Sequence, residues 1–156
     1  MTTLNCLTKY FIDDYTSLSN KIIEKIKLGK CEEIFNGICK ISGDCIIIDY
    51  IYFKHFATLN TYHLITNVIT NNIDIILQHT PTFTVHVNMK TLAIRDIDTH
   101  KTYIQTISAH LKHKYNKKLL HCYIYNSSYI FTHMYTIISM FIDKETQSKI
   151  HLIKHI

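Results

Sequence analysis

Three groups of residues in this chain have types and spacings that chemistry uses. His110 and His113 stand at i,i+3 in a helical pattern, so both imidazoles could share one face and reach one metal ion. Asp96, Asp98 and His100 bring carboxylates and an imidazole together, the makings of a hydrolytic cluster. His121 and Cys122 set a base beside a thiol. Each group has a plainer reading. No nearby carboxylate or cysteine completes a shell around His110 and His113, and Lys112 and Lys114 make a wet basic face there. The Asp96–His100 run reads as a loop that ends in a helix N-cap at Thr99. His121 and Cys122 lie in a strand pattern, where neighbours point to opposite faces. The chain has no GxSxG, no glycine-rich phosphate loop and no HExxH. These residues predict a non-catalytic protein with no metal and no cofactor.

The elements that position these residues follow from periodicity. Residues 13–28 read as a helix with Asp13 or Asp14 as cap and Gly29 as stop; Tyr15, Leu18, Ile22 and Ile26 form its apolar stripe. Its lysines, Lys21, Lys25 and Lys27, suit contact with an anionic membrane surface. A short helical piece is expected around Ile34 to Ile38, and a turn at Ser42-Gly43-Asp44. Cys45 to Phe53 and Phe83 to Met89 read as strands, the second opened by Pro81. Between them Leu59 to Leu77 has helical spacing, and Thr99 opens a third long helix with Tyr103, Ile107, Leu111 and Tyr115 on one face. The chain then reads strand 119–125, turn 126–128, helix 129–142, capped turn 143–146, strand 149–153. The 129–142 helix is apolar over an arc wider than one core-facing stripe needs. It must bury a second face against another element, a partner or an apolar ligand. Strands alternating with helices predict an α/β fold, with a mostly parallel sheet and right-handed crossovers around an apolar pocket.

Composition narrows the class. A chain of 156 residues, 47% hydrophobic and 19% charged, forms one globular unit rather than a disordered one. The net charge is +5, and Arg95 is the single arginine. Base and phosphate reading favours the planar fork of arginine, so the charge fits an anionic surface better than a nucleic acid. The basic run Lys112 to Lys118 is a candidate for docking anionic lipid. Five cysteines without CxxC spacing, and no leader pattern, predict reduced thiols in a cytoplasmic compartment, and the basic 13–28 helix makes the expected membrane contact peripheral. Abundant Ile, Asn, Lys and Tyr follow AT-rich codons, as in many large DNA viruses and some protists.

The last quarter of the chain carries a family signature. Tyr115-Asn116-Lys117-Lys118, Tyr123-Ile124-Tyr125-Asn126-Ser127-Ser128, Phe131, Ser139-Met140-Phe141-Ile142-Asp143, Thr146 and Ser148-Lys149-Ile150 follow one another without a gap. This order resembles the second half of the CRAL-TRIO lipid-binding domain, the family of the yeast-type phosphatidylinositol transfer proteins. The Gly43-Asp44-Cys45-Ile46-Ile47-Ile48 segment is similar to that family's first strand. Prolines of the pattern are replaced at Asn116, Ser128 and Met140, and its Asp and Gly at Asn88 and Thr91. The resemblance implies a short helical segment over 1–40 and a minimal lipid-binding domain over 41–156 that stops before the family's gate segment. It implies a phospholipid ligand, phosphatidylinositol first, held by Tyr103, Ile107, Tyr125, Ser127, Phe131, Thr132, His133 and Tyr135. Thr132 and His133 stand where relatives place hydroxyl residues near a headgroup. The alternative is a non-catalytic interaction scaffold on the same fold, with a homodimer covering the unlidded pocket.

Overall fold

The computed structural model describes residues 14–126 and 128–153. Helix α1 (Tyr15–Lys27) starts where the Asp14 carboxylate accepts the Ser17 N–H at 3.1 Å, and Gly29 at φ +71° ends it. Helix α2 (Cys31–Ile38) follows directly, with Ile34 and Ile38 buried. The chain then enters a hairpin, β1 (Lys40–Ser42) and β2 (Cys45–Asp49), turning at Gly43 in the left-handed region. Asp49 ends β2 and caps α3 (Tyr50–Phe56) through the Ile51 N–H at 3.4 Å. The expected strand to Phe53 therefore stops early, because this carboxylate satisfies a helix donor.

From there strands and helices alternate: α4 (Tyr62–Leu77), β3 (Phe83–Asn88), α5 (Ile94–Lys114), β4 (Leu119–Tyr125), α6 (Tyr129–Ser139), α7 (Lys144–Ser148) and β5 (Ile150–Ile153). The expected start of α5 at Thr99 is corrected to Ile94. The Asp96 carboxylate accepts the Ala93 N–H at 2.9 Å, which closes the first turn there.

The sheet runs β1-β2-β3-β4-β5, antiparallel at the first pair and parallel at the other three. Each crossover steps one strand in the same direction. Right-handed connections then stack α4, α5 and α6 on one face of the sheet. The alternation of β-strand side chains divides the sheet accordingly. Ile46, Val85, Cys122 and Ile150 share the helix-covered face. Ile47, His86, Tyr123 and His151 share the other, since the register pairs Ile47 with His86, His86 with Tyr123 and Tyr123 with His151.

The larger core cluster joins α1, α2, α4 and the sheet through residues such as Ile22, Ile34, Ile46 and Ile73; a second joins Tyr50, Ile97, Ile124, Phe131 and Met134. The strand ends next to α3 are tied by polar side chains. Asn126, at φ +56°, donates to Asn88 Oδ1 at 2.8 Å, and Asn88 Nδ2 in turn donates to the Tyr15 hydroxyl.

Candidate lipid pocket

Between the helices and the sheet lies a cavity of about 320 Å³, within the range of small-molecule sites. Its floor is Ile46 and Ile48 of β2, Val85 and Val87 of β3, and Cys122 and Ile124 of β4. Its roof comes from three helices. Ile65, Ile69 and Ile73 recur at one-turn spacing on α4; Tyr103, Ile104, Ile107 and Leu111 do so on α5; Phe131, Met134 and Ile138 do so on α6. The second apolar face of the 129–142 segment is thus the cavity wall.

The two ends of the cavity differ chemically. Near the strand ends that precede α3 and α6 it is closed by Tyr50, Phe53, Met89 and Phe131. The Tyr50 hydroxyl is buried there, close to the Asp96 carboxylate. Burial, and then the nearby Asp96 carboxylate, push its phenol pKa up. At the other end, Ser108, Lys112, Asn116, Lys117, Thr146 and Lys149 line the cavity. Asn116 and Lys117 are exposed, so this end is the mouth. Tyr115 anchors it, donating to the Asp74 carboxylate at 2.7 Å and the Thr70 carbonyl at 3.1 Å. Lys117 at φ +63° turns the chain from α5 into β4. An apolar interior with ammonium, hydroxyl and amide groups at one end matches an amphiphile whose polar part stays at the mouth.

Of the residues expected to hold lipid, Tyr103, Ile107 and Phe131 line the cavity. Tyr135 packs on the second core cluster behind the wall. Tyr125 is corrected to the opposite face of the sheet: Cys122 and Ile124 face the cavity, so its ring points away, and its hydroxyl lies 2.8 Å from His86 Nδ1. Thr132 and His133 are also corrected. With Phe131 inward, the next two positions on the helix turn outward, and both are exposed. Ser127 lies outside the described residues. The α1 stripe is spent in the core, with Leu18 and Ile22 buried. Lys25 pairs with Glu33 at 3.3 Å, and Lys21 and Lys27 are exposed. That helix offers a membrane charge but no free apolar stripe.

The chemistry-bearing groups fall apart in space. His100 is buried between rings, 2.6 Å from the Tyr62 hydroxyl, and burial lowers its pKa, while Asp98 is exposed. His121 contacts His151 at 3.1 Å on the far face, whereas Cys122 lines the cavity with its thiol pushed by burial up to about 12. His110 and His113 are exposed. Among the described residues no three His, Cys, Asp or Glu side chains gather where they could hold a metal. The mouth residues Lys112, Lys117, Thr146 and Lys149 were legible only in part. The basic run marked the first two, while Lys149 and Thr146 sit in the motif without charge clustering to expose them.

A sheet roofed on one face by its crossover helices, with an apolar cavity between, can enclose a small apolar ligand. A sequence model of the CRAL/TRIO domain matches residues 46–156, and the chain belongs to that family. The crystal structure of Sfh5 has the same fold, with a TM-score of 0.66 and 18% identity over 79% of this chain and 49% of that one. The chain thus spans about half the length of Sfh5. No curated protein sequence matches it. Family membership supports a lipid-binding role, and the likeness to Sfh5 shows the fold.

Proposed function

We propose that this protein is a non-catalytic carrier that takes one phospholipid from a membrane, shields its acyl chains and releases it at another. The cavity carries this reading, being long and apolar with one basic mouth. Each methylene moved from water into it contributes about 0.8 kcal/mol, so a partly inserted chain of ten methylenes gains on the order of 8 kcal/mol. Lys112, Lys117 and Lys149, with Ser108 and Thr146, supply donors for a phosphate at the mouth. Phosphatidylinositol is the first choice among anionic phospholipids, because the family's phosphatidylinositol carriers resemble this chain. No described helix is long and apolar enough to cross a membrane, and contact is proposed to be peripheral, from the cytoplasmic side. Organic extraction of the purified protein followed by mass spectrometry is expected to give phospholipid near one mole per mole. Absence of bound lipid, together with no transfer between liposomes, would sink the proposal.

A further inference from the structure

Resting on the carrier reading, we infer that the loop joining α6 to α7 is the part of this protein that enters the membrane. Met140 and Phe141 insert at the headgroup level of an anionic bilayer, and the lysines of the cavity mouth lie on its surface. Met140 is 77% exposed and Phe141 37%, while the next residue, Ile142, turns inward and lines the cavity. The loop is therefore the rim of the mouth. It is also held in place. Gln147 Nε2 donates to the Ser139 carbonyl at 3.0 Å and to the Ile142 carbonyl at 3.2 Å, and Asp143 caps α7 through the Thr146 N–H at 2.8 Å. A braced loop that keeps a methionine in water has its apolar surface presented, not frayed.

Charge selects the occupant. Lys112, Lys117 and Lys149 line the mouth, and Lys118 and Lys144 adjoin it in the chain. With Lys114 beside them, six cations stand against three acids there, Asp74, Asp143 and Glu145. The pairs Lys112–Asp143 at 4.0 Å and Lys149–Glu145 at 3.7 Å are surface contacts that a bilayer's phosphates can replace. A second copy docking here about a two-fold axis would bring like-charged rims together, whereas an anionic lipid surface complements them. The loop that touches the bilayer is then the loop beside the opening through which the lipid passes.

The chain contains no tryptophan, so a single introduced one reports its own surroundings. Met140→Trp is compared with Leu59→Trp, which replaces an exposed residue at the opposite end of the strands, in the turn that leads into α4. Both are mixed with phosphatidylcholine vesicles with and without phosphatidylserine. Blue-shifted emission and quenching by brominated acyl chains are expected for Met140→Trp with phosphatidylserine only, and neither change for Leu59→Trp. Met140→Asp is expected to weaken vesicle binding about tenfold while the lipid carried by the purified protein stays the same. Unmoved emission for Met140→Trp, or unchanged vesicle binding by Met140→Asp, overturns the inference. So does a blue shift without vesicles accompanied by a doubled mass in light scattering, since a second copy would then cover the loop. If Met140→Trp inserts but no lipid is carried or transferred, the carrier reading fails and the docking surface stands.

Discussion

Replacing Asp49 by Asn tests whether the polar tie at the strand ends holds a charge. Asp49 is buried, and desolvation carries its carboxyl from an ordinary 3.8 up to about 6. The Ile51 N–H, Asn88, Lys40 and Tyr15 all pull in the opposite direction and do not cancel the burial. The folded protein therefore binds this proton more tightly than the unfolded chain does. Stability from this group is complete below the unfolded value near 4 and is lost as pH rises through about 6. At 1.36 kcal/mol per pH unit the difference amounts to about 3 kcal/mol at pH 7.5. Asparagine keeps a carbonyl for the α3 cap and has no charge to desolvate. Asp49→Asn is accordingly expected to raise the urea midpoint at pH 7.5, by up to about 3 kcal/mol of unfolding free energy, and to change little at pH 3.5. Wild-type stability is expected to fall between about pH 4 and 6 relative to the variant and to level off above that. If Asp49→Asn is less stable at pH 7.5 and both proteins share one pH profile, the carboxylate is ionised and favourably held, and the reasoning is wrong.

Two further substitutions probe the cavity and the packing beside it. Ile107→Trp projects bulk from α5 into the cavity and is expected to cut co-purifying phospholipid at least tenfold on the order-of-magnitude scale of lost acyl burial. Mass spectrometry would refute this by finding a full complement of lipid in the variant. Gly37→Ala would ordinarily favour a helix, but here the added Cβ runs into the Tyr52 ring. A loss of about 1–3 kcal/mol in urea unfolding is expected, and a neutral or stabilising result would show that the ring moves aside freely.

Much of the architecture was legible because long elements carry strong periodicity. The spacing of Ile65, Ile69 and Ile73, and of Tyr103, Ile107 and Leu111, foretold helices whose apolar stripes do face the sheet. What escaped was local. β1 is a three-residue edge strand too short to show alternation, though its turn at Gly43 was visible. The Cys45–Phe53 run hid a boundary, since Tyr, Ile and Phe suit a strand and a buried helix alike. Only the reach of Asp49 to the Ile51 N–H settles the break. Helical phase places Phe131 against the cavity, whereas the strand's own parity turns Tyr125 to the opposite face, which a family motif taken alone does not show. The mouth was hardest. Lys112 and Lys149 stand 37 positions apart in the chain and meet one cavity only once β5 pairs with β4.

The stepwise order of the sheet has a consequence for how this protein is made. Each β-α-β unit is laid beside the previous one, so the chain can assemble in the order in which it leaves the ribosome. The pocket does not follow that order. Its floor and two of its roof helices precede α6 in the chain, Ile138 closes it when α6 packs, and Thr146, Lys149 and Ile150 do so when β5 docks. Until then the nascent chain holds an open apolar trough against the parallel strands. Enclosure of the cavity is therefore a later event than formation of most of its floor and roof.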